Sequence, residues 1–169
     1  MKYLFLDIDG VLNHEEWYRN RCPHLKDKFE EWWEDCFDPE CVKRVNKIIE
    51  KTGAKIVVSS SWRLDRELKR YFEKIGLPTD FDRTPSLHRT EDDWPDRGEE
   101  IDEFLKDHLC ESYVILDDDF DFTEDQIKNH FVHCCADFTQ AFKEGHPGET
   151  GFTELKMNEA IDILNKLNK

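Results

Sequence analysis

Four apolar residues, Tyr3-Leu4-Phe5-Leu6, run without a break into Asp7-Ile8-Asp9-Gly10, and this junction constrains the chain more than any other stretch. The run lacks the alternation of a strand with one wet face. It predicts a strand covered on both faces, of the kind found in the middle of a parallel sheet. If extended backbone persists through Asp9, side chains two apart point the same way, so Asp7 and Asp9 converge while Ile8 turns aside. Two carboxylates sharing one site repel unless a cation or a proton lies between them. Taken alone, Asp-x-Asp-Gly is more often an acidic turn after a strand, so its meaning depends on what else the chain supplies.

The chain repeats the junction twice. Ile56-Val57-Val58 ends in Ser59-Ser60-Ser61-Trp62-Arg63, and Tyr113-Val114-Ile115-Leu116 ends in Asp117-Asp118-Asp119. A fourth apolar strand is expected from His130 to Cys134. Helices are expected between the strands. Asp38-Pro39 supplies an N-cap and a first-turn proline for a helix with Cys41, Val42, Val45, Ile48 and Ile49 inward, stopped by Thr52-Gly53. Leu64, Leu68, Tyr71, Phe72 and Ile75 predict one helix leaving the serine cluster and ending at Gly76. Leu77 to Arg89 reads as loop or irregular strand. Further helices are expected over Glu99 to His108 with Ile101, Phe104 and Leu105 inward, and over Glu124 to Asn129 capped by Thr123. A closing helix opened by Thr153 carries Leu155, Ala160, Ile161, Leu164 and Leu167. Alternating strands and helices predict an α/β, Rossmann-like fold, a mainly parallel sheet flanked by helices. Its ligands would bind beyond the carboxyl ends of the strands.

At 169 residues the chain fits one domain, with no visible linker. The formal net charge of −15 argues against strong nonspecific binding to nucleic acid and against adhesion to anionic membranes, because the summed field repels polyanions. A few local cations can still make a phosphate site. No apolar stretch is long enough for a membrane span and no signal peptide is read, so a cytoplasmic location is expected. The six cysteines show no Cys-x-x-Cys spacing, and reduced thiols are expected. A zinc site from Cys22, His24, Cys36 and Cys41 would match no standard spacing. Residues 14–37 form a small insertion after the first strand, too short for a separate cap domain but long enough for a helical lid. Within it Leu25, Phe29, Trp32, Trp33 and Cys36 mark a helix over Lys26 to Asp35 whose aromatic stripe either packs on the domain or stacks on a ligand.

If the three polar strand ends meet, they bring together a carboxylate cluster suited to Mg²⁺ and serine hydroxyls beside backbone donors for an anion. Arg97, in Asp96-Arg97-Gly98, would add a guanidinium. These residues resemble the haloacid dehalogenase (HAD) superfamily of phosphohydrolases. Asp7-Ile8-Asp9-Gly10-Val11-Leu12 follows the first motif; the resemblance implies Asp7 as nucleophile and Asp9 as general acid and base. Ser59-Ser60 looks like the second motif, with Ser60 the chosen register and Ser59 the fallback. Arg97 stands where the family more often has Lys, and Asp117-Asp118 looks like the fourth motif. The resemblance implies Mg²⁺ held by Asp7, Asp118 and the backbone of Asp9, with Asp117 alongside. Gly10, Ser59, Ser61 and Arg63 are the expected substrate contacts. More narrowly, Phe37-Asp38-Pro39, Val57 to Arg63 and Thr84-Pro85-Ser86-Leu87 are similar to the small HAD domains of composite RNA-repair proteins, relatives of polynucleotide phosphatases. That implies a phosphorylated substrate, a nucleotide or an RNA or DNA end. A nucleotidase or small-metabolite phosphatase of the same mechanism and a non-catalytic phosphate- or partner-binding module are the alternatives.

Overall fold

In the computed structural model, which describes residues 1–21, 36–87, 96–143, 145 and 149–166, the expected strands form one sheet. Strand β1 spans Lys2–Leu6, β2 Lys55–Val58, β3 Asp82–Arg83, β4 Ser112–Asp117 and β5 Phe131–His133. Their order is β3-β2-β1-β4-β5, and every neighbouring pair is parallel. The strand beginning the chain therefore lies at the centre, as its unbroken apolar run requires.

Alternation along the strands sorts the core into two layers. Leu4, Leu6 and Ile8 join Val114 and Leu116 on one face, packed with Val45 and Ile48 of α2 (Pro39–Thr52) and Ala160 and Leu164 of α7 (Glu154–Asn165). Tyr3, Phe5, Val57 and Ile115 occupy the other face with Ile101 and Phe104 of α4 (Arg97–Lys106). There the rings of Tyr3 and Phe5 meet Phe104 edge-on, at 5.4 and 5.6 Å. Fully burying side chains of this size contributes about 1.5–3 kcal/mol each.

Local signals place several boundaries. Asp38 caps α2 through Glu40 N, and Gly53 ends it in the left-handed conformation at φ 69°. Thr123 and Gln126 form a reciprocal capping box on α5 (Glu124–Asn129).

Other expectations change. The single helix predicted from the serine cluster to Gly76 is two pieces, a 3₁₀ turn over Ser61–Leu64 and α3 over Leu68–Ile75. Asp65 accounts for the break: its carboxylate accepts from Glu67 N at 2.7 Å, a local bond that competes with helix. Leu64 is consequently exposed. Helix α4 begins two residues earlier than expected, which puts Arg97 in its first turn. Leu155, expected inward on α7, is exposed, while Lys156 is buried. The two-residue β3 falls in the stretch read as loop or irregular strand and α1 (Glu15–Arg21) in the expected helical insertion, while α6 (Phe138–Lys143) was not expected. The predicted helix over 26–35 with Leu25, Phe29, Trp32 and Trp33 of its stripe, and Cys22, His24 and Leu167, lie outside the described residues. Cys41, Cys110 and Cys134 are unbridged thiols. No described helix is long and apolar enough to cross a membrane.

Candidate active site

The same alternation that builds the core aims the acids. Asp7 follows Tyr3 and Phe5 in phase and Asp117 follows Tyr113 and Ile115, so both carboxylates emerge on the α4 side of the sheet. Leu6 pairs with Leu116, and Asp7 N donates to Leu116 O at 2.9 Å, which brings the two strand ends level. Arg97 meets both from the start of α4. Its Nη1 lies 2.8 Å from Asp7 Oδ1 and 2.5 Å from Asp117 Oδ2. Asp7 is 1% exposed and Asp117 is fully buried. Burial and the neighbouring Asp117 push the Asp7 carboxyl well above the usual range, with Arg97 and the Ser60 hydroxyl opposing the shift. Burial raises Asp117 to about 6 despite the guanidinium.

Asp118 completes the acid group. Burial, Asp117 and Asp119 push it up to about 7. Carboxylate oxygens of Asp7, Asp117 and Asp118 all lie within 4.8 Å of one another. Both oxygens of Asp117 are engaged, Oδ2 by Arg97 and Oδ1 by Asp119 N at 3.0 Å. Asp7 Oδ2, by contrast, is buried without a hydrogen-bond partner. An orphaned carboxylate oxygen beside Asp118, in a set made only of hard oxygen donors, fits a Mg²⁺ ion. Gly10 makes this closeness feasible. Its φ is +76°, and a Cβ there would stand 2.4 Å from Asp118 Cγ. Gly10, expected to touch substrate, thus makes room for Asp118, and its N–H donates to Asn13 Oδ1 at 2.9 Å.

The serine cluster forms the adjoining wall. Ser60 caps the 3₁₀ turn, its Oγ accepting from Trp62 N at 3.4 Å, and it is the serine close enough to Asp7 to oppose the rise of its pKa. Ser59 is buried, with an Oγ lacking a partner, and Ser61 is exposed. Arg63, expected as a substrate contact, is engaged within the protein. Its Nη2 makes two 2.7 Å bonds to the Glu100 carboxylate, and its Nη1 donates to Ser59 O and Ser60 O at 3.0 and 3.2 Å. With Arg63 10% and Glu100 4% exposed, this is a buried brace under the serine turn. Glu100 lies three residues after Arg97, so one face of α4 serves both the acids and the serine turn.

Asp9, expected to converge with Asp7, stands apart from the acid group and is exposed, because the strand ends at Leu6. Asn13 Nδ2 donates to its Oδ1 and Trp62 Nε1 to its Oδ2, each at 2.8 Å. With Gly10, Asn13, Tyr18, Asp118 and Asp137, Asp9 lines an open cleft of about 800 Å³.

Sequence reasoning assigned no role to Asn13, Glu100 or the Trp62 side chain, whose partners lie up to 53 residues away. It also missed a network behind the cleft. His14 Nε2 contacts Asp38 Oδ2 at 3.0 Å and His14 Nδ1 contacts Thr150 Oγ1 at 2.7 Å, while Cys41 Sγ sits 3.7 Å from the same Asp38 oxygen. Burial, with Asp38 beside it, pushes the Cys41 thiol up to about 12. Each group already has a partner here, and the network ties the end of the first turn to α2 and to the loop before α7.

Neither the curated proteins nor the solved structures contain a match to the chain. A family model described as the HAD domain in Swiss Army Knife RNA repair proteins matches residues 3–143, from the first residues of β1 through α6. That span includes every residue of the acid group, the serine turn and the Arg97 face of α4, and the chain belongs to this HAD domain family.

Proposed function

We propose that the protein hydrolyses phosphate monoesters, with Asp7 as the nucleophile. The observation that carries this reading is the state of Asp7 at the end of the central strand. Arg97 fixes its Oδ1, and its buried Oδ2 has no hydrogen-bond partner. Mg²⁺, held by Asp7, Asp118 and the Asp9 backbone carbonyl, would neutralise charge between the nucleophile and an anionic substrate.

The chain's own groups divide the remaining work. Asp7 forms a bond to phosphorus as the bond from phosphorus to the leaving oxygen breaks, and that oxygen takes a proton from the Asp9 carboxyl. Water then attacks the phosphorus of the aspartyl-phosphate and gives a proton to Asp9, and Asp7 departs as carboxylate. Ser60, beside Asp7, would turn its O–H to a phosphoryl oxygen while its Oγ accepts from Trp62 N. Arg97 supplies positive charge beside the reacting carboxylate throughout.

The substrate we propose is a terminal phosphate on an RNA or DNA end, supported by the RNA-repair setting named for the family and by the open cleft. The acids Glu15 and Asp137 on the cleft wall, in a chain of net charge −15, favour a second reading, a mononucleotide over a long polyanion. A panel of mononucleotides, sugar phosphates and oligonucleotides phosphorylated at the 3′ or 5′ end, assayed with Mg²⁺, separates the two. Turnover of oligonucleotide ends is the expected result, and activity confined to mononucleotides would favour the second reading. Asp7→Asn should abolish hydrolysis of every substrate in the panel; unchanged turnover would show that Asp7 is not the nucleophile.

A further inference from the structure

The side chain of Asp9 is held at both oxygens by neutral N–H donors, and Trp62 is the more rigid of the two. Its ring is packed edge-on against Phe37 at 5.6 Å and Tyr71 at 6.1 Å, which fixes the direction of the indole N–H toward Asp9 Oδ2. Asn13 is fixed in another way, since its Oδ1 is occupied by Gly10 N while its Nδ2 reaches Asp9. The Trp62 backbone N–H also donates to Ser60 Oγ, so one residue joins the serine turn to Asp9.

We infer that Trp62 is a positioning residue for proton transfer by Asp9, setting its carboxyl at the leaving-group side of the cleft; this rests on the phosphatase reading above. An indole nitrogen only donates, so it can direct a carboxylate oxygen but cannot carry the proton itself. Without it, Asp9 keeps the single tether from Asn13 and can rotate about its side-chain torsions away from the leaving oxygen. Proton transfer depends steeply on that geometry. The effect falls on esters whose leaving oxygen needs a proton and spares those whose leaving group departs as a stable anion.

The test compares kcat/KM for an alkyl phosphate and for 2,4-dinitrophenyl phosphate in wild type, Trp62→Phe and Asp9→Asn. Phenylalanine keeps a ring between Phe37 and Tyr71 and removes the N–H. Site-specific replacement of Trp62 by benzothienylalanine, which puts sulfur in place of the indole N–H, isolates the same loss with the full ring retained. Because kcat/KM reports steps through formation of the phospho-enzyme, the later water step does not mask the result. Both Trp62 variants should lower the alkyl phosphate value by about ten- to a hundredfold, and the dinitrophenyl value by at most about threefold. Equal losses on both esters, or no loss on either, would overturn the inference. If Asp9→Asn shows the selective loss and neither Trp62 variant does, the phosphatase reading stands and the role of Trp62 falls. If wild type turns over neither ester, both fall.

Discussion

Arg97 Nη1 stands 2.8 Å from Asp7 Oδ1 across 90 residues of sequence, and this contact organises the acid site. Strand phase puts Asp7 and Asp117 on one face, and without a cation between them the two buried carboxylates would repel. The first turn of α4 delivers that cation, while Glu100 on the same helix face steadies the serine turn through Arg63.

Removing the Arg97 charge while keeping its bulk, as in Arg97→Met, leaves Asp7 and Asp117 buried and unpaired. The metal-free protein should lose roughly 3–5 kcal/mol, the range for breaking a buried ion pair at one partner. Arg97→Lys, which restores the residue more usual in the superfamily, should lose less. Urea unfolding with and without Mg²⁺ checks this, and Mg²⁺ should narrow the gap between Arg97→Met and wild type.

Gly10→Ala tests the space reserved for Asp118. A left-handed backbone at a non-glycine residue costs about 1–2 kcal/mol, and the new Cβ would also meet the Asp118 carboxyl at 2.4 Å. At least a tenfold rise in the Mg²⁺ concentration for half-maximal activity is expected, on the order of 1.4 kcal/mol. Gly53→Ala is the control, because Gly53 shares the positive φ but has nothing within 4 Å. It should lose only the backbone cost and leave the Mg²⁺ dependence unchanged.

The Arg63–Glu100 brace predicts non-additive energetics. Glu100→Ala strands a buried guanidinium and should destabilise by roughly 3–5 kcal/mol. Replacing both partners with apolar residues, as in Arg63→Met with Glu100→Leu, should recover part of that loss in denaturant unfolding.

Stability of the metal-free protein should fall as pH rises. Asp117 and Asp118 have folded values of about 6 and about 7 against an unfolded value of 3.8, and Asp7 is raised as well. Acids shifted this way bind more protons when folded, so unfolding free energy decreases from about pH 4 to about pH 7. The melting temperature in EDTA should be higher at pH 5 than at pH 8. Excess Mg²⁺ should flatten or reverse that slope by favouring the charged carboxylates.

What could be read from sequence was what local chemistry determines. Tyr3 to Asp9 announced a central strand with acids at its end, Gly53 a helix stop, and Thr123 a helix start. Each signal lies within a few residues of what it controls. The broken helix after Ser61 was missed because one side-chain bond, from Glu67 N to Asp65, outweighed a good apolar stripe. The two residues of β3 carry too little pattern to announce a strand, and its pairing with β2 decides it. At the site, residue types were legible and partnerships were not. Arg63 beside three serines read as a substrate contact, and its partner Glu100, 37 residues away, was not legible. Trp62 could be quoted in a motif, yet nothing near it in sequence pointed to Asp9.

The central claim is that Asp7 becomes phosphorylated. Reduction with borohydride during turnover, followed by peptide mass spectrometry, converts an acyl phosphate to the alcohol and marks the residue that carried it. Homoserine at position 7, and no such mark when substrate is omitted, is the expected result. A mark at another acid, or none while turnover continues, would contradict the account.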